Sequence, residues 1–221
     1  MPVLARLACA VLAAFALTTQ LAEATSFAFS NRADFEAAIL GVPRVVEGWE
    51  AYPTGFVIAN GSTLNGITYA FSSGEGRVAD NYIPLSSPHS LAKTGTPDID
   101  DFFAGGESVG FFFATPILAF GININTFATA DGAYSIAAWS GADVVGFAAS
   151  GYDPFPGTST GQFVGLIADT PFNFVGFGSA ALPYTLDDLT YITEPVPEPA
   201  SLLLMGAALS GLAAFRPRRR H

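Results

Sequence analysis

The chain has 221 residues, of which half are hydrophobic and 13% aromatic, and it carries a formal net charge of −10 with a single cysteine. Between Thr25 and Glu194 there are 17 acidic and four basic side chains, which gives that segment a formal net charge of −13. So acidic a surface repels phosphate backbones and excludes nucleic acid as a partner, and the lack of cysteine in this segment excludes disulfides and zinc–thiolate sites.

The first 24 residues have the composition of a secretory signal peptide. Arg6 supplies a positive charge, Leu7 to Leu17 form an apolar stretch, and Ala22-Glu23-Ala24 is a small-x-small pattern. The apolar stretch is too short for a transmembrane helix. Cys9 lies near the start of this stretch, whereas a lipidated cysteine would end it, so we interpret Cys9 as unmodified. We predict a signal peptide over residues 1–24, with cleavage after Ala24.

One helix is predicted before the tail, from Ser30 to Gly41. Ser30 is a suitable N-cap, and Gly41 is a suitable stop. Phe35, Ile39 and Leu40 are predicted to form its apolar stripe.

From Val45 onward, runs of β-branched and aromatic residues are separated by clusters of Gly, Asn, Asp, Ser and Pro, which is typical of short strands. Without long helices between them, such strands predict an all-β fold over residues 25–193, in the form of an antiparallel jelly-roll-like β-sandwich. Ser140 to Asp143 is predicted to be a hairpin loop. The predicted strands are Val45–Glu50, Phe56–Ala59, Ile67–Ser72, Ser108–Ala114, Ile117–Thr126, Tyr134–Ser140, Asp143–Ala149, Gln162–Ala168, Phe172–Gly178 and Leu186–Ile192.

We expect no cofactor, and a structural calcium site is the alternative to that expectation. Calcium prefers several carboxylate and carbonyl oxygens from loops. The densest acidic cluster consists of Asp98, Asp100, Asp101 and Glu107, although its spacing differs from that of an EF-hand loop. A solvated acidic loop is the alternative interpretation. Asp187 and Asp188 are a second possible source of oxygen ligands.

Two tryptophans are candidates for stacking on sugar rings, because an exposed aromatic face attracts carbohydrate. They are Trp49 and Trp139. The competing interpretation places both in the hydrophobic core, where large aromatic side chains are common.

No catalytic residue is predicted, and we expect no enzyme activity. Residues 157–161 match the G-x-S-x-G pattern, but a proline-rich loop precedes them and a strand follows, where a nucleophile elbow needs a strand and then a helix. His89 is the one histidine between Thr25 and Glu194. Glu47 and Glu50 are three residues apart, so on one strand they face opposite sides and do not form a hydrolytic pair.

The last 28 residues, 194–221, are predicted to be a sorting tail with one hydrophobic helix. Its apolar segment, residues 200–215, would span roughly 24 Å as a helix, against about 30 Å for a bilayer core, so the anchor is short. Cations after such a segment are held on the cytoplasmic side of a membrane. The alternative is a buried C-terminal helix, against which three consecutive arginines argue. The cations that form this stop are Arg216, Arg218, Arg219 and Arg220.

This order of features resembles a PEP-CTERM sorting signal, which begins here at Pro197, Glu198 and Pro199. The resemblance implies that a membrane-embedded exosortase-type transpeptidase recognises these three residues and removes the tail. It also implies export through a membrane-tethered intermediate to the cell surface or extracellular matrix. Other segments resemble the jelly-roll domains that such proteins often carry, among them Leu64 to Tyr69 and Leu186 to Tyr191.

We therefore expect an exported, non-enzymatic protein of the cell surface or extracellular matrix. A carbohydrate-binding module retained in extracellular polysaccharide is the first alternative. A secreted hydrolase, in particular a glycoside hydrolase, is the second alternative. The scarcity of histidine and the absence of cysteine between Thr25 and Glu194 argue against a hydrolase in general, and the sequence indicates no pair of carboxylates for a glycosidase.

Overall fold

The computed structural model describes residues 25–80, 88–93, 101–126, 132–152 and 161–193. The predicted signal peptide and the predicted sorting tail lie outside these ranges, as do residues 157–160 of the G-x-S-x-G segment. Within the described residues, no helix has the length and the apolar character that a membrane crossing requires.

The described chain forms one helix and thirteen strands. The helix, α1, covers Arg32–Ala38. The strands, β1 to β13 in chain order, cover Ser26–Phe29, Val45–Glu47, Val57–Ile58, Thr63–Leu64, Ile67–Phe71, Gly76–Ala79, Ser90–Lys93, Ser108–Asn125, Tyr134–Ser140, Asp143–Ala149, Gly151–Tyr152, Gly161–Ser179 and Thr185–Ile192.

The predicted all-β class is confirmed, because the strands join in one large antiparallel sheet with almost no helix. The order along its main path is β10-β9-β12-β8-β13-β7-β6-β3. The predicted hairpin joins β9 to β10, where Asp143 pairs with Ser140. Gly141 takes a φ of 62° in this two-residue turn, in the left-handed region that glycine enters without strain.

Two long strands, β8 and β12, run through the whole sheet, although the sequence predicted each of them as two shorter strands. Their pairing is regular on both sides of a break, which extends from the pair of Ile167 and Ala119 to the pair of Phe174 and Phe112 and contains the single pair of Phe172 and Ile117. Pro116 and Pro171 lie in this break. Because proline has no N–H for the ladder, it is tolerated where pairing is interrupted. The prolines therefore interrupt the pairing while both strands continue.

The break divides the sheet into two halves. In the open half, residues 108–113 of β8 and 172–179 of β12 pair with β5 and β9, and β10 follows β9. In the covered half, residues 117–125 of β8 and 161–167 of β12 pair with β13 and β1. The inner faces of both halves contribute to one core, as Tyr69 and Leu166 illustrate.

Helix α1 packs on the outer face of the covered half. Phe35 and Ile39 are fully buried there and form a second hydrophobic cluster with Phe163. The helix begins after Asn31, whose side chain accepts hydrogen bonds from two main-chain amides of the first turn, so Asn31 is the N-cap rather than the predicted Ser30. Leu40, predicted in the apolar stripe, is 78% exposed, because the helix ends at Ala38 and the chain then turns away.

The acidic region after Gly74, in which the sequence analysis predicted no strand before Ser108, contains two. They are β6, Gly76–Ala79, and β7, Ser90–Lys93, which pair with each other in an antiparallel ladder. Gly76, Ala79 and Ser90 have little β-propensity, so local sequence gave no strand signal, and pairing with neighbouring strands determines their conformation.

Candidate functional site

A row of aromatic side chains crosses the outer face of the open half. Phe112 on β8, Phe174 on β12 and Trp139 on β9 are direct cross-strand neighbours. The rings of Phe112 and Phe174 are stacked with their centroids 4.2 Å apart, and the Trp139 ring is 5.1 Å from that of Phe174. Aromatic pairs at such separations stabilise each other beyond the area they bury. The row is therefore an ordered surface feature.

A second row, made of small residues, runs beside the aromatic row on the same strands. Ala70, Gly110, Gly176 and Ala137 are cross-strand neighbours in this row. A Cβ atom added to Gly110 would lie 2.8 Å from Cε2 of Phe174, and one added to Gly176 would lie 3.2 Å from Cζ3 of Trp139. The two aromatic rings therefore lean over glycines of the neighbouring strands, which is possible only because these positions lack side chains.

The two rows form an open groove, which we call the aromatic groove, with a volume of about 510 Å³. Phe147 on β10 closes one end of the row of small residues, opposite Ala137. Phe147 is 61% exposed and Phe112 is 44% exposed. Large apolar side chains that are exposed on a concave surface often mark a binding site.

Serine hydroxyls supply the polar part of the lining. Ser72, Ser108 and Ser135 line the groove on the side away from the aromatic row. Ser72 Oγ accepts a hydrogen bond of 2.9 Å from the main-chain N–H of Ser108, which fixes its position. Among the described residues, the lining contains no charged side chain. The groove therefore combines aromatic faces with neutral hydroxyl groups.

The two predicted stacking tryptophans have different environments. Trp139 is half-buried and belongs to the aromatic row. Trp49 is fully buried in the main core, so the prediction that it stacks on sugars is wrong. Its Nε1–H donates to the Tyr69 hydroxyl at 3.2 Å, and its main-chain N–H donates to Glu47 Oε1 at 2.8 Å. Burial, and then the charge of Glu47, raises the pKa of Tyr69, which keeps the phenol neutral.

The structure pairs the two described members of the acidic cluster with cations. Asp101 Oδ2 lies 3.3 Å from Nε of Arg77, and Glu107 forms an ion pair with Lys93. Asp98 and Asp100 lie outside the described residues. Burial acts to raise the pKa of Glu107, but hydrogen bonds from Lys93, from the main chain of Ala104 and from Ser73 outweigh burial and lower it.

Asp187 and Asp188, the second predicted source of oxygen ligands, form hydrogen bonds within the protein. Asp187 is fully buried, and its Oδ1 accepts a hydrogen bond of 2.7 Å from the main-chain N–H of Asp188. Asp188 Oδ2 accepts from Nδ2 of Asn123 at 3.1 Å. Among the described residues, no three His, Cys, Asp or Glu side chains are grouped as the ligands of a metal ion.

Sequence reasoning missed Phe112, Phe174 and Phe147. A signal for the first was present, because residues 111–113 are three consecutive phenylalanines and successive strand residues point to opposite faces. If Phe111 and Phe113 fill the core, as they do, Phe112 must point outward. The same argument applies to residues 174–178, Phe-Val-Gly-Phe-Gly. Because Val175 and Phe177 are buried in the core, Phe174 must point outward.

Taken together, these features define an all-β domain with an exposed aromatic groove, followed by a C-terminal tail of the sorting type. Residues 195–220 match the family model of the PEP-CTERM protein-sorting motif, which confirms the resemblance on which the tail prediction depended. No curated protein matches the chain. The motif implies export and membrane-associated sorting by an exosortase, which is a membrane enzyme. Pro197, Glu198 and Pro199 fall within the matched residues.

Proposed function

We propose that this chain is a non-enzymatic protein of the cell surface or extracellular matrix, and that an exosortase-type transpeptidase sorts it through its tail. The observation that carries the proposal is the PEP-CTERM match at residues 195–220. The predicted signal peptide over residues 1–24 supports it, because tail processing requires a chain that has already been exported. In this scheme the chain is tethered at the inner membrane by residues 200–215 until the tail is removed.

The sequence order of the tail gives each part a role in this scheme. Pro197 and Pro199 lack amide hydrogens and restrict the backbone, so from the sequence we expect the Pro-Glu-Pro triplet to present Glu198 to the transpeptidase in an extended segment. The apolar segment holds that triplet near the bilayer surface. The arginines hold the end of the segment on the cytoplasmic side.

Replacing Pro197, Glu198 and Pro199 by alanine tests this proposal in the native host. We expect the variant to be exported but to keep its tail, which mass spectrometry of the intact protein detects. Glu194→Ala is the matched control, because it removes a nearby carboxylate outside the triplet and should leave processing unchanged. Normal tail removal in the triple-alanine variant would falsify the proposed recognition.

The role of the β domain is the second part of the proposal. We place it outside the enzymes because the segment from Thr25 to Glu194 has one histidine, which limits histidine-based acid–base chemistry, and no cysteine, which excludes a thiol nucleophile. We also propose that it works without a resident metal, since Asp101 and Glu107 are each already paired with a cation.

A carbohydrate-binding module is the candidate that a specific observation favours. That observation is the aromatic groove, in which a row of small residues separates Trp139 and Phe174 from serine hydroxyls on the opposite side. In this form of the proposal, a jelly-roll-like β-sandwich displays the groove and holds the exported protein in extracellular polysaccharide. Washing the native matrix with salt and then with competing glycan tests retention. We expect glycan, and not salt, to release the protein.

A further inference from the structure

The aromatic groove runs across the strands rather than along them. Its row of small residues begins at Ala70 on β5 and is closed by Phe147 on β10. Together with Phe147, the row crosses five adjacent strands. With neighbouring strands about 4.8 Å apart, this row is roughly 19 Å long. A site of that length, open along its side, suits a chain of several sugar rings better than one small molecule.

The chemistry of the lining matches the two kinds of surface that a pyranose ring presents. The C–H groups on the faces of the ring carry partial positive charge and are attracted to the negative faces of aromatic rings, such as those of Trp139 and Phe147. The hydroxyl groups at the rim of the ring need hydrogen-bond partners, which Ser72, Ser108 and Ser135 provide. Apolar and polar contacts therefore lie on opposite sides of the same groove.

The charges of the groove lining and of the whole domain favour some polysaccharides over others. Among the described residues, the groove lining has no charged side chain, so nothing there would neutralise a carboxylate or a sulfate. The segment from Thr25 to Glu194 has a formal net charge of −13, which repels polyanions at a distance. Acidic polysaccharides therefore bind unfavourably, and an uncharged chain does not incur this repulsion.

We infer that the aromatic groove binds an uncharged polysaccharide, which lies across the strands of the open half with its ring faces on Trp139 and Phe147. This inference rests on the proposed extracellular location of the domain. It assigns the ligand class and the residues of the site, which tail sorting alone leaves undetermined.

Affinity electrophoresis of the full-length protein in mild detergent tests the inference, with dextran, hydroxyethylcellulose and galactomannan as neutral probes and polygalacturonate as the anionic probe. We expect at least one neutral probe to retard the protein and polygalacturonate to have no effect. Phe147→Ala and Trp139→Ala should each weaken binding about tenfold, because each removes an aromatic contact surface. Phe147 is 61% exposed, so its replacement leaves the core intact.

Phe27→Ala is the matched control, because Phe27 is 60% exposed and lies on β1, outside the groove. It should bind like the parent protein. Equal weakening by Phe27→Ala, or no retardation by any of the three neutral probes, would overturn the inference. Light scattering provides a further check: self-association that Phe147→Ala abolishes would overturn the inference, because a second copy of the chain would then occupy the groove. Tail processing, measured separately, should be normal in every groove variant, so failure of sorting and failure of the groove are distinguishable.

Discussion

The main-chain nitrogen of Thr25 lies 3.0 Å from both carboxylate oxygens of Asp169, at the point where β1 begins to pair with β12. Asp169 N–H in turn donates to the carbonyl oxygen of Thr25 at 3.1 Å. The hydrogen bond from the main chain of Thr25 is the leading cause of the lowered pKa of Asp169. Thr25 is also the residue that cleavage after Ala24 would make the new N-terminus.

The first prediction concerns this contact. Cleavage after Ala24 converts the Thr25 amide into an ammonium, so a hydrogen bond becomes an ion pair. Asp169→Asn should lower the melting temperature more in a chain that begins at Thr25 than in the same chain with an acetylated N-terminus. Because the folded pKa of Asp169 is depressed, its contribution is present above its unfolded pKa and is lost as the pH falls through the folded value. Equal effects of the substitution in both chains would contradict the ion pair.

The second prediction concerns the ion pair of Lys93 and Glu107. Lys93→Met should reduce the free energy of unfolding at pH 7 by about 1 kcal/mol, because it leaves a largely buried carboxylate without its cation. The lowered pKa of Glu107 means that this stabilisation is present above the unfolded pKa of the carboxyl group and is lost as the pH falls. Denaturant unfolding at pH 7 and pH 3 measures both effects.

Arg44→Met is the control for Lys93→Met. Arg44 also pairs with a glutamate, Glu36, but its side chain is 44% exposed, so solvent screens the pair. We expect no measurable change in stability. A loss from Arg44→Met as large as that from Lys93→Met would show that the burial of Glu107 is not the cause.

The third prediction concerns the packing of α1 on the covered half. A Cβ atom at Gly121 would lie 2.7 Å from Cζ of Phe163 and 2.8 Å from Cε1 of Phe35, and both of these rings are fully buried. Gly121→Ala should therefore destabilise the domain by about 1–3 kcal/mol through overpacking. Gly178→Ala is the control, since its nearest neighbour would be 3.5 Å away. Thermal unfolding of the two variants should differ clearly, and equal melting temperatures would contradict this account.

The fourth prediction concerns calcium. Binding at Asp101 and Glu107 would require displacement of Arg77 and Lys93, so we expect no heat of binding and no change in melting temperature in millimolar calcium. Calorimetric titration of the full chain is the measurement. A saturable heat that Asp98→Asn abolishes would instead establish a metal site in the acidic cluster.

The fifth prediction concerns the arginines of the tail. Replacing Arg218, Arg219 and Arg220 by asparagine removes the cations that hold the short apolar segment in place. We expect less protein in the membrane fraction and more unprocessed protein released, as measured by fractionation and mass spectrometry. Arg44→Asn, which changes a cation in the β domain, should leave the distribution unchanged. Unaltered membrane retention in the tail variant would rule out the proposed stop.

Local patterns were sufficient for much of the fold. The hairpin of β9 and β10 was predicted with the observed bounds, Tyr134–Ser140 and Asp143–Ala149, because its alternation and its glycine turn are features of adjacent residues. Strands β6 and β7 were missed because their short segments carry little β-propensity of their own. The predicted strands ended before Pro116 and Pro171, whereas pairing on both sides of these prolines keeps β8 and β12 continuous.

The sequence by itself determined the class of the fold, the acidic character of the domain and the sorting tail, because composition, alternation and a linear motif involve residues close together in the chain. Only the tertiary structure decided that Trp49 is buried and that Trp139 belongs to a groove with Phe112, Phe174 and Phe147. These four groove residues come from four different strands, and their proximity depends on the register between strands. Register is set by long-range pairing and by burial of one face, so no local pattern in the chain encodes the groove.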